Sequence, residues 1–165
     1  MDYYWINGLA TLFVGGSAMY MAHRAIKSNK DTAEKAKTES RKLAKQQLTT
    51  TILLNMHENQ IVLDKFTIMR NLHNQSGNGL VELAKKNLND EEREKSKTII
   101  EVLSFFETIS AGVRHDIYDL QIIKDNMQSA IKHLWQISEP YIHRKRTDDN
   151  NPKYYEHLEW LKNQL

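Results

Sequence analysis

The sequence predicts an all-α protein: one N-terminal membrane helix, a long stalk helix continuing it, and a small C-terminal helical bundle. Three observations carry this. No period-two run bounded by turn residues is present, and no Asn-Gly or Asp-Gly is flanked by alternating apolar residues. The stretch Tyr3–Ala22 has no formal charge. Beyond Leu48 the apolar residues return at helical spacing. With 165 residues, 27% of them charged, six Gly and two Pro, the composition favours folded helix over disorder.

Residues 1–23 form the expected anchor. YYWINGLATLFVGGSAMYMA is about 20 residues, roughly 30 Å as a helix, which matches a hydrocarbon core. Tyr3, Tyr4 and Trp5 crowd one end and Tyr20 the other, where amphipathic rings favour the interface. A cleaved signal peptide would need a basic start, yet Asp2 is the only charged side chain ahead of the run. Arg24, Lys27 and Lys30 follow the span, and no Lys or Arg precedes it. The positive-inside rule therefore puts the N-terminus outside and the C-terminal domain in the cytoplasm, at a bacterial inner membrane. These three basic side chains are the expected contacts to lipid headgroups. Gly8, Thr11, Gly15, Ala18 and Ala22 share one face of the span, a small-residue surface suited to a homo-oligomer.

Residues 24–47 form the expected basic stalk. Between His23 and Gln47 eight Lys/Arg stand against Asp31, Glu34 and Glu39, a net of +5, whereas the chain as a whole carries +2. Basic charge collected beside the membrane points to anionic lipid, and no nucleic-acid partner is expected. Lys30–Glu34 and Asp31–Lys35 are i,i+4 pairs. The apolar residues Ile26, Ala33, Ala36, Leu43 and Ala44 are too sparse for a core-facing stripe, so the segment reads as a solvated helix.

Residues 48–165 form the expected cytoplasmic helical domain. Leu48–Leu72 is amphipathic, Asn74–Gly79 breaks it, and Leu80–Leu88 reads as a short helix. Asp90 is the expected N-cap of a helix reaching about Val113. Asp116–Asp119 is a junction, with Asp119 capping a helix that Pro140 should kink or break. Thr147–Asn151 is a loop, with Asn151 as cap and Pro152 as first residue of a last helix.

Catalytic chemistry finds little purchase. The absence of Cys removes disulfides, thiolate metal sites and a thiol nucleophile. The histidines form no His-x-x-x-His or Glu-x-x-His pair; Glu139 and His143 are four apart but flank Pro140. No metal and no cofactor are expected. Phosphate-loop, dinucleotide and nucleophile-elbow motifs are missing, and Arg70–His73 and Arg114–Asp116 do not fit the spacing of a helical ribonuclease. Glu107 stands out as a carboxylate after Phe105-Phe106 in an apolar helix, which needs a partner if buried. Arg114, Arg144 and Arg146 are the expected partners. Glu107, Arg114, Asp119, His143 and Arg144 make up the candidate polar cluster; a hydrolase built on it would also recruit Asp116.

Three segments, VLSFFETISAGVRHDIYDLQII, LWQISEPYIHRKR and YYEHLEWL, resemble domain-of-unknown-function family 4760, small and often membrane-anchored bacterial and phage proteins. The residues that carry the resemblance are Phe105, Phe106, Glu107, Gly112, Ile117, Tyr118, Asp119, Trp135, Arg144, Tyr155, Glu156, Glu159 and Trp160, in roughly the C-terminal half. It implies a helical fold and an anchor but no activity. Two readings follow. One is a non-enzymatic interaction or regulatory protein with a protein partner at the inner membrane; the resemblance adds phage exclusion or defence as a setting. The other is a hydrolase using the Glu107 cluster.

Overall fold

The computed structural model describes residues 4–58, 60–75 and 80–165, with side chains described from Met19 onward except His57. Among them are five α-helices and no strands: α1 (Tyr4–Glu58), α2 (Gln60–Gln75), α3 (Asp90–Arg114), α4 (Leu120–Asp148) and α5 (Glu156–Gln164), with a 3-10 turn at Val81–Ala84. The chain divides into two compact units, Met1–Ala44 and Lys45–Leu165. In the first, every side chain from Met19 to Ala44 is exposed. Among the described residues no helix is long and apolar enough to cross a membrane. The expected span lies outside the described side chains except for Met19–Ala22, and so do Gly8, Thr11, Gly15 and Ala18; Ala22 is exposed.

The second unit is organised by α3 and α4. On α3, Ile99, Val102, Leu103, Phe106, Ile109 and Val113 return at three- and four-residue steps and are buried. On α4 the same spacing buries Ile123, Met127, Ile131, Leu134 and Tyr141. α5 adds Leu158 and Leu161, α2 adds Met69, and Ile52, Leu53 and Met56 of α1 pack against this core. Each fully buried Leu or Ile contributes about 1.5–3 kcal/mol. α5 packs on α3 and α4, α2 packs on α3, and the 3-10 turn packs on both central helices. Buried Ser110 and Ser138 donate to the carbonyls of Phe106 and Leu134, both at 2.7 Å, so neither hydroxyl is left unpaired in the core.

Some helix boundaries depart from the sequence reading. The helix expected over Leu48–Leu72 is helical in the described residues on both sides of position 59, and the departures lie further along. The short helix expected over Leu80–Leu88 is only the turn Val81–Ala84. The N-cap of α3 is Asn89 rather than Asp90: Asn89 Oδ1 accepts from Glu92 N, and Asn89 N donates to Glu92 Oε2, each at 2.9 Å. This reciprocal capping box satisfies two backbone donors, and no single carboxylate at position 90 could do the same. Pro140 lies inside α4 without ending it. Tyr141 and Ile142, immediately after it, are fully buried, and their burial outweighs the missing backbone bond. Pro140 and Gln136 both face solvent, where water can serve the orphaned Gln136 carbonyl.

The start of α5 differs most. Asn151 Oδ1 accepts from Lys153 N at 3.1 Å and so organises a turn, while α5 itself begins at Glu156. Its N-cap, Tyr155, has φ 56° and ψ 37°, the left-handed region, and its side chain makes no cap bond. A non-glycine residue there is strained by about 1–3 kcal/mol.

Candidate functional site

Two of the polar residues singled out by sequence, Glu107 and Arg114, come together where α3 meets the first turn of α5. Glu107, half-buried on α3, accepts from His157 N through Oε1 (3.1 Å) and from Leu158 N through Oε2 (2.8 Å). These are the second and third N–H groups of α5, the ones an N-cap side chain ordinarily satisfies. Tyr155 cannot supply that cap, so a residue some 50 positions earlier does. Glu156 N donates to Lys153 O and Glu159 N to Tyr155 O, which completes the first turn. A carboxylate at a helix N-terminus also meets the positive end of the backbone dipole.

Glu107 is thus partnered by a helix terminus, where an arginine was expected. The arginines are engaged elsewhere. Arg114 Nη1 lies 3.2 Å from His157 Nδ1 and 3.8 Å from Glu156 Oε2, and its guanidinium stands 5.9 Å from the centre of the Trp160 ring. Arginine can only donate, so in this contact Nδ1 of His157 is the acceptor. Arg146, at the end of α4, donates to Tyr154 O at 2.9 Å and pairs with Glu159 at 2.8 Å. Arg144 pairs with Asp148 at 2.6 Å within α4, and this bonded carboxylate holds its guanidinium above the usual arginine range. α5 is therefore clamped at its start from α3 and along one side from α4.

The other expected residues occupy separate positions. Asp119 caps α4, accepting from Gln121 N at 2.9 Å and Ile122 N at 3.2 Å. Asp116, at φ 61°, pairs with Lys45. His143 lies 3.8 Å from Glu139 within α4, because the helix persists through Pro140 and leaves the pair on one face. Among the described residues no group of three or more His, Asp or Glu is placed to hold a metal ion. Glu107 and Arg114 meet at His157, while Asp119, His143 and Arg144 bond within their own helix or at its start.

Two contacts escaped the sequence reading. Thr49, fully buried at the end of α1, donates to Lys45 O at 2.8 Å and accepts from Asp119 N at 2.7 Å. Nothing in its surroundings, a run of three threonines, marks it out. Ser96 and Tyr141 share a buried hydrogen bond at 3.3 Å, and burial pushes the Tyr141 phenol up. The Tyr155 phenol is raised for the same reason.

The motif residues have mechanical duties in this arrangement. Ile117 N and Tyr118 N both donate to Gly112 O, at 2.8 and 3.1 Å, folding the α3–α4 junction back on itself. Trp135 Nε1 donates to Glu139 at 3.1 Å, and the Trp135 ring receives Lys162 at 5.4 Å. Neither a curated protein nor a solved structure matches the chain. The profile of the family described as domain of unknown function (DUF4760) matches residues 9–165, extending well beyond the C-terminal half that carries the sequence resemblance. The chain belongs to the DUF4760 family.

Proposed function

We propose that this chain is a single-pass, non-enzymatic helical protein, anchored by residues 3–22 and presenting residues 45–165 to a protein partner at the cytoplasmic face of a bacterial inner membrane. The observation that carries this is the charge boundary: twenty uncharged residues, followed at once by Arg24, Lys27 and Lys30. Met19, Tyr20 and Met21 are 78%, 69% and 70% exposed, an apolar surface uncovered by protein and suited to lipid. The interaction reading draws support from the polar residues. Glu107, Arg114, Asp119 and Arg144 are each spent on helix ends or ion pairs, whereas a hydrolase needs free groups converging on a pocket.

Fractionation after alkaline carbonate washing, with a reporter enzyme fused to the C-terminus, tests the anchor. The full chain should stay with the membrane and report a cytoplasmic C-terminus. Replacing Arg24, Lys27 and Lys30 by Gln while placing two Lys before Tyr3 should invert it. Recovery of the full chain in the wash overturns the proposal.

A further inference from the structure

The apolar residues in the exposed part of the first unit are too few for the broad stripe of a globular core, but most of them fall on the narrower line of a heptad seam. Ala22, Ile26, Asn29, Ala33, Ala36, Ser40 and Leu43 are spaced alternately by four and three residues, all on α1 and all exposed. That alternation keeps one stripe facing a partner helix along a supercoil. Charge is sorted around it. Arg24, Lys27, Lys30, Asp31, Glu34, Lys35, Lys37, Glu39, Arg41, Lys42 and Lys45 include no member of the seam, although charge fills half of the positions from 24 to 45. Ile26 and Leu43 are 67% and 55% exposed, large apolar side chains at its two ends.

We infer that a second copy of this chain covers the seam, as a parallel, in-register two-stranded coiled coil over residues 22–43. Taking Ile26, Ala33 and Ser40 as the first core position and Asn29, Ala36 and Leu43 as the second, the flanking charges select this arrangement. Lys30 and Lys37 fall beside the seam on one side, and in a parallel pair they face the uncharged Ala25 and Thr32 of the other copy. Glu39 faces Ala44. An antiparallel pair would set the lysine-bearing edges against each other. Small residues let the backbones approach closely, and the two copies of Asn29 meet in the core as a polar pair, at some loss of stability. The seam meets the small-residue face of Gly8, Thr11, Gly15, Ala18 and Ala22 at Ala22, where two successive steps of four (Ala18, Ala22, Ile26) shift the register. The pairing rests on the anchored reading only for its direction, since anchored copies enter the membrane with the same polarity.

The natural absence of cysteine makes the test clean. Single cysteines are introduced into the full chain at seam positions (A33C, A36C, S40C) and at outward positions (K35C, T38C, K42C), and cells are oxidised before lysis. In a parallel pair the seam positions bring identical Cα atoms within the roughly 4.4–6.8 Å that a disulfide requires, and the outward ones do not. The seam variants should double in mass on a non-reducing gel while the outward variants stay monomeric. Leu43→Lys added to A36C should abolish the crosslink. Equal crosslinking at all six positions, or maxima at the outward ones, overturns the proposal, as does monomer throughout. Fractionation of the same samples separates the two readings: periodic crosslinking in a soluble protein keeps the seam and removes the anchor, and membrane-bound monomer does the reverse.

Discussion

The ring of Tyr118 lies where a β-carbon on Gly112 would stand. A Cβ built on Gly112 falls 2.2 Å from Cε2 and 2.3 Å from Cδ2 of that ring, and both residues belong to the junction through which α3 turns into α4. The glycine is required for this close approach, since only hydrogen fits between backbone and ring. Gly112→Ala should therefore lower domain stability by about 1–3 kcal/mol, the usual range for forcing extra volume into a packed site. Chemical denaturation measures it. Adding Tyr118→Leu should recover part of the loss; if the double variant is worse than the single one, the ring is not the obstacle.

Removing the Glu107 carboxylate should loosen α5 specifically. Glu107→Ala leaves two N–H groups of the first turn uncapped and should cost about 2 kcal/mol, with Glu107→Gln, which keeps one acceptor oxygen, near half of that. Amide hydrogen exchange should show faster exchange at His157 and Leu158 ahead of the rest of the domain. Unchanged protection there would disprove the capping role.

Pro140→Ala should stabilise the domain. The proline is exposed and interior to α4, where proline costs about 3 kcal/mol relative to alanine, and the substitution restores a donor to the Gln136 carbonyl. A rise in Tm is the expected result, of up to that magnitude in free energy. A fall would mean that Pro140 shapes α4 in a way the core depends on.

Alkaline solution should unfold the domain through its buried phenols. Burial raises both Tyr141 and Tyr155 above the ordinary value of 10.0, so the folded state keeps their protons longer than the unfolded chain does. Their contribution is fully present below that value and declines as pH rises through the interval above it. Lys145, raised by its hydrogen bond to Asp149, declines in the same direction. Tyr141→Phe with Tyr155→Phe should flatten the loss of stability above pH 10 in denaturant titrations. An equally steep loss in the double variant would assign it to the lysines.

What could be read in advance was set by sequence distance. The helical class, the core stripes of α3 and α4 and the Asp119 cap rest on spacings of two to four residues, and each is found in the structure. The Asn89 cap is equally local, because Asn-x-x-Glu is a capping-box pattern, and the adjacent acidic Asp90 competes with it as a cap by residue type. Pro140 was read by a local rule that the burial of Tyr141 and Ile142 overrides. The partner of Glu107 lies 50 and 51 residues away, on backbone atoms that have no residue identity to search for. Thr49 meets Asp119 across 70 residues and was equally hidden.

That threonine has a consequence for how a load would travel. Its hydroxyl hangs from a carbonyl of α1 and receives the first amide of the α4 cap, while Lys45, one turn earlier, grips Asp116 in the same junction. Tension or twist applied to this end of α1 would reach the α3–α4 junction through these two polar attachments, beside the apolar packing of Ile52, Leu53 and Met56 on the core. Thr49 is in that sense a coupling pin, and Thr49→Val would keep its shape while disengaging the linkage.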